Sequence, residues 1–167
     1  METKSATRKL APGDLVLYPY LWSWESGAGL RLADKVRPCL ILFRGPEGTP
    51  QEDSVLICAI TSAEVRHPNR AIDIPPEEGR RAMIRRPDNS RVVVTECNSD
   101  KIGESIHLNG KYLLENRFSK AFVTELQNAC RDFVAQKKMR MVFRLKPATE
   151  DSDENRQKER DGDYEPG

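Results

Sequence analysis

Two short polar motifs lie at the ends of apolar runs, and together they could bind a phosphate group. Lys35-Val36-Arg37-Pro38 opens one run, and Ile60-Thr61-Ser62 closes another. An arginine guanidinium binds nonbridging phosphate oxygens through its planar fork, and a threonine hydroxyl donates one further hydrogen bond. The alternative is a structural role, because an arginine at a strand start often forms a surface ion pair and Thr-Ser often begins a turn. The motifs therefore raise phosphodiester chemistry as a hypothesis.

Other catalytic chemistries lack their motifs in this chain. It contains no Walker loop, no G-x-G-x-x-G, no H-E-x-x-H and no G-x-S-x-G. His67 and His107 lie in polar segments without a cysteine or carboxylate at ligand spacing, so we expect both to be solvated surface side chains. The four cysteines are scattered and have no C-x-x-C spacing, which predicts buried reduced thiols. We expect no metal site and no cofactor.

Short apolar runs bounded by turn residues predict a series of strands that would position the two motifs. The runs cover Leu15 to Tyr18, Val36 to Phe43, Ser54 to Ile60, Ile72 to Ile74 and Arg91 to Thr95. The second and third are nearly continuous in apolar residues, which is typical of strands buried on both faces. The residues from Pro19 to Asp34 have no sustained period and are predicted to form a long connection.

The segment that begins at Ser119 is predicted to be an amphipathic helix, with this serine as its N-cap. Apolar residues recur there at three- and four-residue spacing, namely Phe122, Val123, Leu126, Cys130, Phe133 and Val134. Short strands followed by a helix predict a compact α+β domain built around a small curled sheet.

Charge is distributed unevenly along the 167 residues. The chain has 27 Lys and Arg against 26 Asp and Glu, a net charge of +1. Residues 150–167 carry eight acids and three bases, or −5, which leaves +6 on residues 1–149. We therefore divide the chain into an N-terminal tail (1–10), one folded domain (11–146) and an acidic disordered tail (147–167). The basic domain favours a polyanionic partner, although +6 is also an ordinary solubilising charge.

The sequence has no signal for a membrane or for secretion. No apolar run approaches the roughly 20 residues that span a bilayer, and the polar start is followed by no apolar stretch. We expect a cytoplasmic protein without a membrane partner.

Three motifs, in order along the chain, resemble those of the PemK/MazF family, which comprises toxins of bacterial type II toxin-antitoxin systems. They are Gly13 to Leu17, Lys35 to Leu42 and Val55 to Ser62. The resemblance continues more loosely through Ser99-Asp100-Lys101-Ile102-Gly103 and the predicted helix, and it covers roughly Pro12 to Val134. The long first loop and the acidic tail depart from the family pattern.

The resemblance implies a small SH3-like or CcdB-like β-barrel with a C-terminal amphipathic helix, assembled as a homodimer. It also implies an endoribonuclease that cuts single-stranded RNA without a metal, through attack of the 2′-hydroxyl and formation of a 2′,3′-cyclic phosphate. Arg37 and Thr61 match the family's active pair, with Ser62 beside the threonine. The partners implied are single-stranded RNA and a cognate antitoxin. The competing interpretation is a noncatalytic module that binds nucleic acid or protein. A third interpretation, a poison of DNA gyrase, follows only from the related CcdB-like fold and has no motif in this sequence.

Further residues are candidates for contacts with RNA. Tyr20, Trp22 and Trp24 could stack on bases, or the aromatic loop could fold back over the domain. Arg31 and Lys35 lie near the same loop and the first motif. The arginines from Arg80 to Arg91, Arg85 and Arg86 among them, could track phosphates, receive an acidic antitoxin segment, or be solvated. We also hypothesise that the acidic tail competes with RNA for the basic surface.

Overall fold

The computed structural model describes residues 9–31, 33 and 35–144. The predicted acidic tail (147–167) and residues 1–8 of the N-terminal tail lie outside the described residues. The strands are β1 Asp14–Tyr18, β2 Arg37–Arg44, β3 Ser54–Thr61, β4 Ala71–Asp73, β5 Arg91–Val93, β6 Glu96–Lys101, β7 Leu113–Arg117 and β8 Arg140–Phe143. The helices are α1 Ser23–Gly27, α2 Pro76–Arg81 and α3 Lys120–Ala135, with two 3₁₀ turns at Ile106–Leu108 and Gly110–Tyr112.

The strands form one sheet of eight, which confirms the α+β class. Its main order is β4-β5-β3-β2-β1-β7, and β6 pairs with β3 and β8. All pairs are antiparallel except β6 with β8. The predicted barrel is wrong for the part of the chain that the structure describes, because β4 and β7 remain at opposite ends of the strand order and do not pair.

Two hydrophobic cores lie on the two faces of β2 and β3. The first contains Leu40 and Cys58 together with Leu126 of α3. The second contains Ile41 and Ile57 with other apolar side chains of the opposite face. Both predictions for these strands are confirmed: each apolar run forms a strand, and its central residues are buried on both faces.

Helix α3 begins as predicted. The Ser119 hydroxyl accepts a hydrogen bond of 3.2 Å from the amide of Phe122. Glu78 of α2 binds the same serine, since it accepts from both the Ser119 amide (2.8 Å) and the Ser119 hydroxyl (2.7 Å). The expectation for Val134 is wrong, because this side chain is 55% exposed. At about 100° per residue it lies about 80° around the helix from Leu126, beyond the buried stripe.

The cysteine prediction is confirmed, and one histidine prediction is not. All four cysteines are free and buried: Cys39, Cys58, Cys97 and Cys130. His67 is exposed as expected. His107 is half-buried, because its ring lies 6.1 Å from the Tyr18 ring and 5.8 Å from the Tyr112 ring, measured between centroids. Within the described residues, no helix is long and apolar enough to cross a membrane.

Candidate functional site

Arg37 and Thr61 stand opposite each other at one end of the sheet. Cys39 of β2 pairs with Ala59 of β3. Because the strands are antiparallel, counting two residues back along β2 and two residues forward along β3 places Arg37 opposite Thr61. On the other side of β3, Thr61 pairs with Arg91 of β5. The threonine therefore lies in a row between two arginines, and side chains of such a row point to the same face of the sheet.

A cavity of about 210 Å³ opens over this pair, and both Arg37 and Thr61 line it. Its other polar or aromatic lining side chains are Trp22, Lys35, Glu64, Arg66 and Asn69. Three cations thus face one carboxylate. The charge balance of the lining favours an anionic group.

The guanidinium of Arg37 has an unused donor. Its Nε atom is buried and has no hydrogen-bond partner in the structure. The guanidinium carbon lies 5.3 Å from the centroid of the Trp22 ring, a cation-π contact that fixes its position. A buried donor without an acceptor is costly, and an anion in the cavity would supply the missing acceptor.

The hydroxyl of Thr61 shapes the loop that follows it. Its Oγ1 accepts a hydrogen bond of 3.0 Å from the amide of Ala63, and the hydroxyl hydrogen remains available to donate. Ser62 is exposed and does not line the cavity. The structure therefore brings Arg37 and Thr61 together but leaves Ser62 outside.

A buried carboxylate holds the walls of the cavity in place. Glu96 is fully buried and accepts hydrogen bonds from the Tyr20 hydroxyl (3.1 Å) and Asn69 Nδ2 (2.9 Å). Ser23 donates to it twice, from its amide (3.0 Å) and from its hydroxyl (2.8 Å). Burial raises the pKa of Tyr20 well above its ordinary value, so its hydroxyl stays protonated and can donate. Glu96 thereby ties α1 to the loop that follows β3.

Asn69 extends this network toward β8. Its Oδ1 accepts from the Thr95 hydroxyl at 2.9 Å and from the guanidinium of Arg140. The Thr95 hydroxyl in turn accepts from the amide of Arg70 at 2.9 Å. These bonds fix the loop from residue 62 to 70, which supplies Glu64 and other lining residues.

The aromatic loop combines both predicted arrangements. Tyr20 is 1% exposed, so it is unavailable for stacking on a base and instead supports Trp22, whose ring centroid is 4.9 Å away. Trp22 lines the cavity. Trp24 is 47% exposed, and the guanidinium of Arg66 lies 4.5 Å from its ring centroid.

The remaining predicted RNA contacts are dispersed. Lys35 lines the cavity, whereas Arg31 does not. Arg85 and Arg86 are exposed after α2 and also lie outside the lining.

The sequence interpretation missed Glu64, Arg66, Asn69 and the supporting Glu96. The available signal was the polar segment directly after Thr61-Ser62, whose closeness to a candidate strand end could have marked it as part of the site.

Comparison with known proteins identifies no family for this chain: no protein-family model matches it, and no curated protein is similar enough to count as a relative.

Proposed function

We propose that this chain is an endoribonuclease that cuts single-stranded RNA at the cavity over Arg37 and Thr61 without a metal ion. The observation that carries the proposal is the buried, unpartnered Nε of Arg37, beside Thr61 in a lining with three cations and one carboxylate. A phosphodiester fits this arrangement, because its two nonbridging oxygens share one negative charge and can accept hydrogen bonds from the guanidinium and the hydroxyl.

The reaction proposed is an intramolecular transesterification. The ribose 2′-oxygen forms a bond to the adjacent phosphorus, and the bond from phosphorus to the 5′-oxygen breaks. Arg37 and Thr61 stabilise the negative charge that develops on the phosphorane oxygens. The 5′-oxygen leaves with a proton from solvent, and the products are a 2′,3′-cyclic phosphate and a 5′-hydroxyl.

Glu64 is the group that accepts the proton of the 2′-hydroxyl. An arginine is a poor base because its pKa exceeds about 12. Glu64 carries the one carboxylate among the described residues that line the cavity. A carboxylate positioned within reach of the nucleophile is a usual general base.

We further propose that this activity serves as the toxin of a toxin-antitoxin pair, a role supported by the resemblance of the three sequence motifs. The second candidate is a module that binds RNA without cutting it, which the stacked Arg37 and Trp22 would equally support.

The test uses the full chain, single-stranded RNA and EDTA. We expect cleavage to continue, with 2′,3′-cyclic phosphate ends, and to fall about 10²–10³-fold in Arg37→Ala and Thr61→Val. Lys120→Ala, an exposed change on α3, is the matched control. A 5′-phosphate product, or full activity in folded Arg37→Ala, would refute the mechanism. If the wild type binds RNA without cutting it, and Arg37→Ala weakens that binding, the result would support the noncatalytic module.

A further inference from the structure

A second, larger cavity adjoins the first. It has a volume of about 810 Å³ and lies between the loop before β4 and the end of α3. Its charged or titratable lining side chains are His67, Arg70, Lys137, Lys138 and Arg140. All its lining residues lie in the described part of the chain, and none carries a carboxylate.

The two cavities share part of their walls. Val65 and Asn69 line both, so the second cavity continues directly from the site over Arg37 and Thr61. Asn69 also binds Arg140, which fixes one cation of the second cavity relative to the first. A strand of RNA whose scissile phosphate lies in the first cavity would therefore pass neighbouring phosphates into the second.

One of the cations, Lys137, lies at a backbone position where stability favours glycine. Lys137 has φ +58°, and it follows the last turn of α3. Its amide donates to the carbonyl of Val134 (3.0 Å), and the amide of Lys138 donates to the carbonyl of Phe133 (2.9 Å). This pair of bonds is a Schellman motif, in which the left-handed residue is usually glycine. A lysine at this position costs backbone strain relative to glycine, and its side chain lines the cavity.

We propose that this second cavity is a binding channel for the phosphate backbone of single-stranded RNA flanking the cleavage site. The choice of RNA as the ligand rests on the proposed function. In this channel, Arg70, Lys137 and Lys138 bind two or more phosphates of the RNA. Phe133 and Met139 form an apolar part of the wall, against which a base can pack. It extends the RNA contact beyond the small cavity that holds the scissile group.

The test measures binding separately from cleavage. The probes are RNA oligonucleotides with 2′-O-methyl groups at every position, which lack the nucleophile, in lengths of three and ten nucleotides. The variant is Lys137→Gly with Lys138→Gln, because glycine keeps the left-handed backbone and removes a charge. The control is Lys111→Gln with Lys120→Gln, which removes the same charge from exposed positions outside both cavities.

We expect the variant to bind the ten-nucleotide strand about tenfold more weakly at low salt, with the slope of log affinity against log salt reduced by about 0.7 per lost contact. Affinity for the trinucleotide should stay as in the wild type. The melting temperature should rise, which excludes misfolding as the cause.

An equal loss of affinity for the ten-nucleotide strand in variant and control, or no loss in either, would overturn the proposal of an RNA-binding channel. A peptide of residues 150–167 provides a further test. If this acidic peptide binds in the cavity and the variant binds the oligonucleotide as tightly as the wild type, the cavity is a site for the chain's own tail, and the proposal is overturned. Absence of RNA cleavage together with length-dependent binding would instead refute the nuclease and leave the channel standing.

Discussion

Asn69 Nδ2 donates a hydrogen bond of 2.9 Å to Glu96 Oε2, so that a lining residue of the cavity is held by a carboxylate in the core. We expect Glu96→Gln to lose part of this network, because an amide nitrogen cannot accept from the donors around it. An orphaned buried donor costs about 1–3 kcal/mol, which urea denaturation would measure. Below the melting temperature, kcat should fall while KM changes little. Glu104→Gln, at an exposed position, should leave both unchanged.

Glu64 is the proposed proton acceptor, and Glu64→Gln isolates that role. We expect the single-turnover rate of cleavage to fall by about 10²–10⁴. RNA should bind as tightly or more tightly, because the substitution removes a negative charge from the cavity. Glu77→Gln, an exposed change on α2, serves as the control. A wild-type cleavage rate in Glu64→Gln would exclude this carboxylate as the base.

The two tryptophans should respond differently to truncation. Trp24 is 47% exposed, so Trp24→Ala should weaken RNA binding by about 1–3 kcal/mol with little effect on unfolding. Trp22 packs on Tyr20 and under Arg37, so Trp22→Ala should lower both stability and cleavage. Quenching of tryptophan fluorescence by a 2′-O-methyl oligonucleotide gives the binding measurement. Equal RNA affinity in Trp24→Ala and the wild type would remove Trp24 from the interface.

Stability should decline at alkaline pH because of Tyr18. Burial, followed by the neighbouring Asp100, raises the pKa of Tyr18 far above its ordinary value of 10.0. The unfolded chain ionises first, so this contribution is fully present below pH 10 and is lost as the pH rises above it, by up to about 1.4 kcal/mol per pH unit. Urea denaturation from pH 8 to 11 measures the slope. Tyr18→Phe should reduce this slope by the share of one group. Part of the slope should remain, because burial also raises the pKa of Tyr20 and of the four cysteines.

A homodimer is expected from the family resemblance and from exposed apolar side chains on β8. Met141 is 41% exposed and Phe143 is 70% exposed. Sedimentation should give about twice 19.0 kDa, and Phe143→Glu should shift the mass toward the monomer. A wild-type protein that stays monomeric at micromolar concentration would contradict this prediction.

The central part of the fold could be predicted, because β2 and β3 carry their own signal in continuous apolar runs. The motifs also placed Arg37 at the start of one strand and Thr61 at the end of the other, whereas their pairing was implied only by the family resemblance. The five-residue α1 could not be predicted, since Ser23 is held by Glu96 at a distance of 73 residues in the chain. Barrel closure depends on which strand edges pair, and no local pattern in β4 or β7 encodes it.

The polar walls of the site were missed for the same reason. Asn69 and Glu96 meet across 27 residues, and neither periodicity nor a short motif reports such a contact. The aromatic residues were recognised, but burial separates Tyr20 from Trp24 only once the sheet is in place.

Arg37 is the first residue of β2, and Thr61 is the last residue of β3. The proposed reactive pair is therefore attached to the two central strands of the sheet but lies at their ends, where local fraying requires less energy than opening the middle of the strands. A brief opening of this end would separate the guanidinium from the hydroxyl while the amides of Ile41 and Ile57 remain closed to hydrogen exchange. On warming, the proposed cleavage activity and global folding would thus be lost in two separate steps.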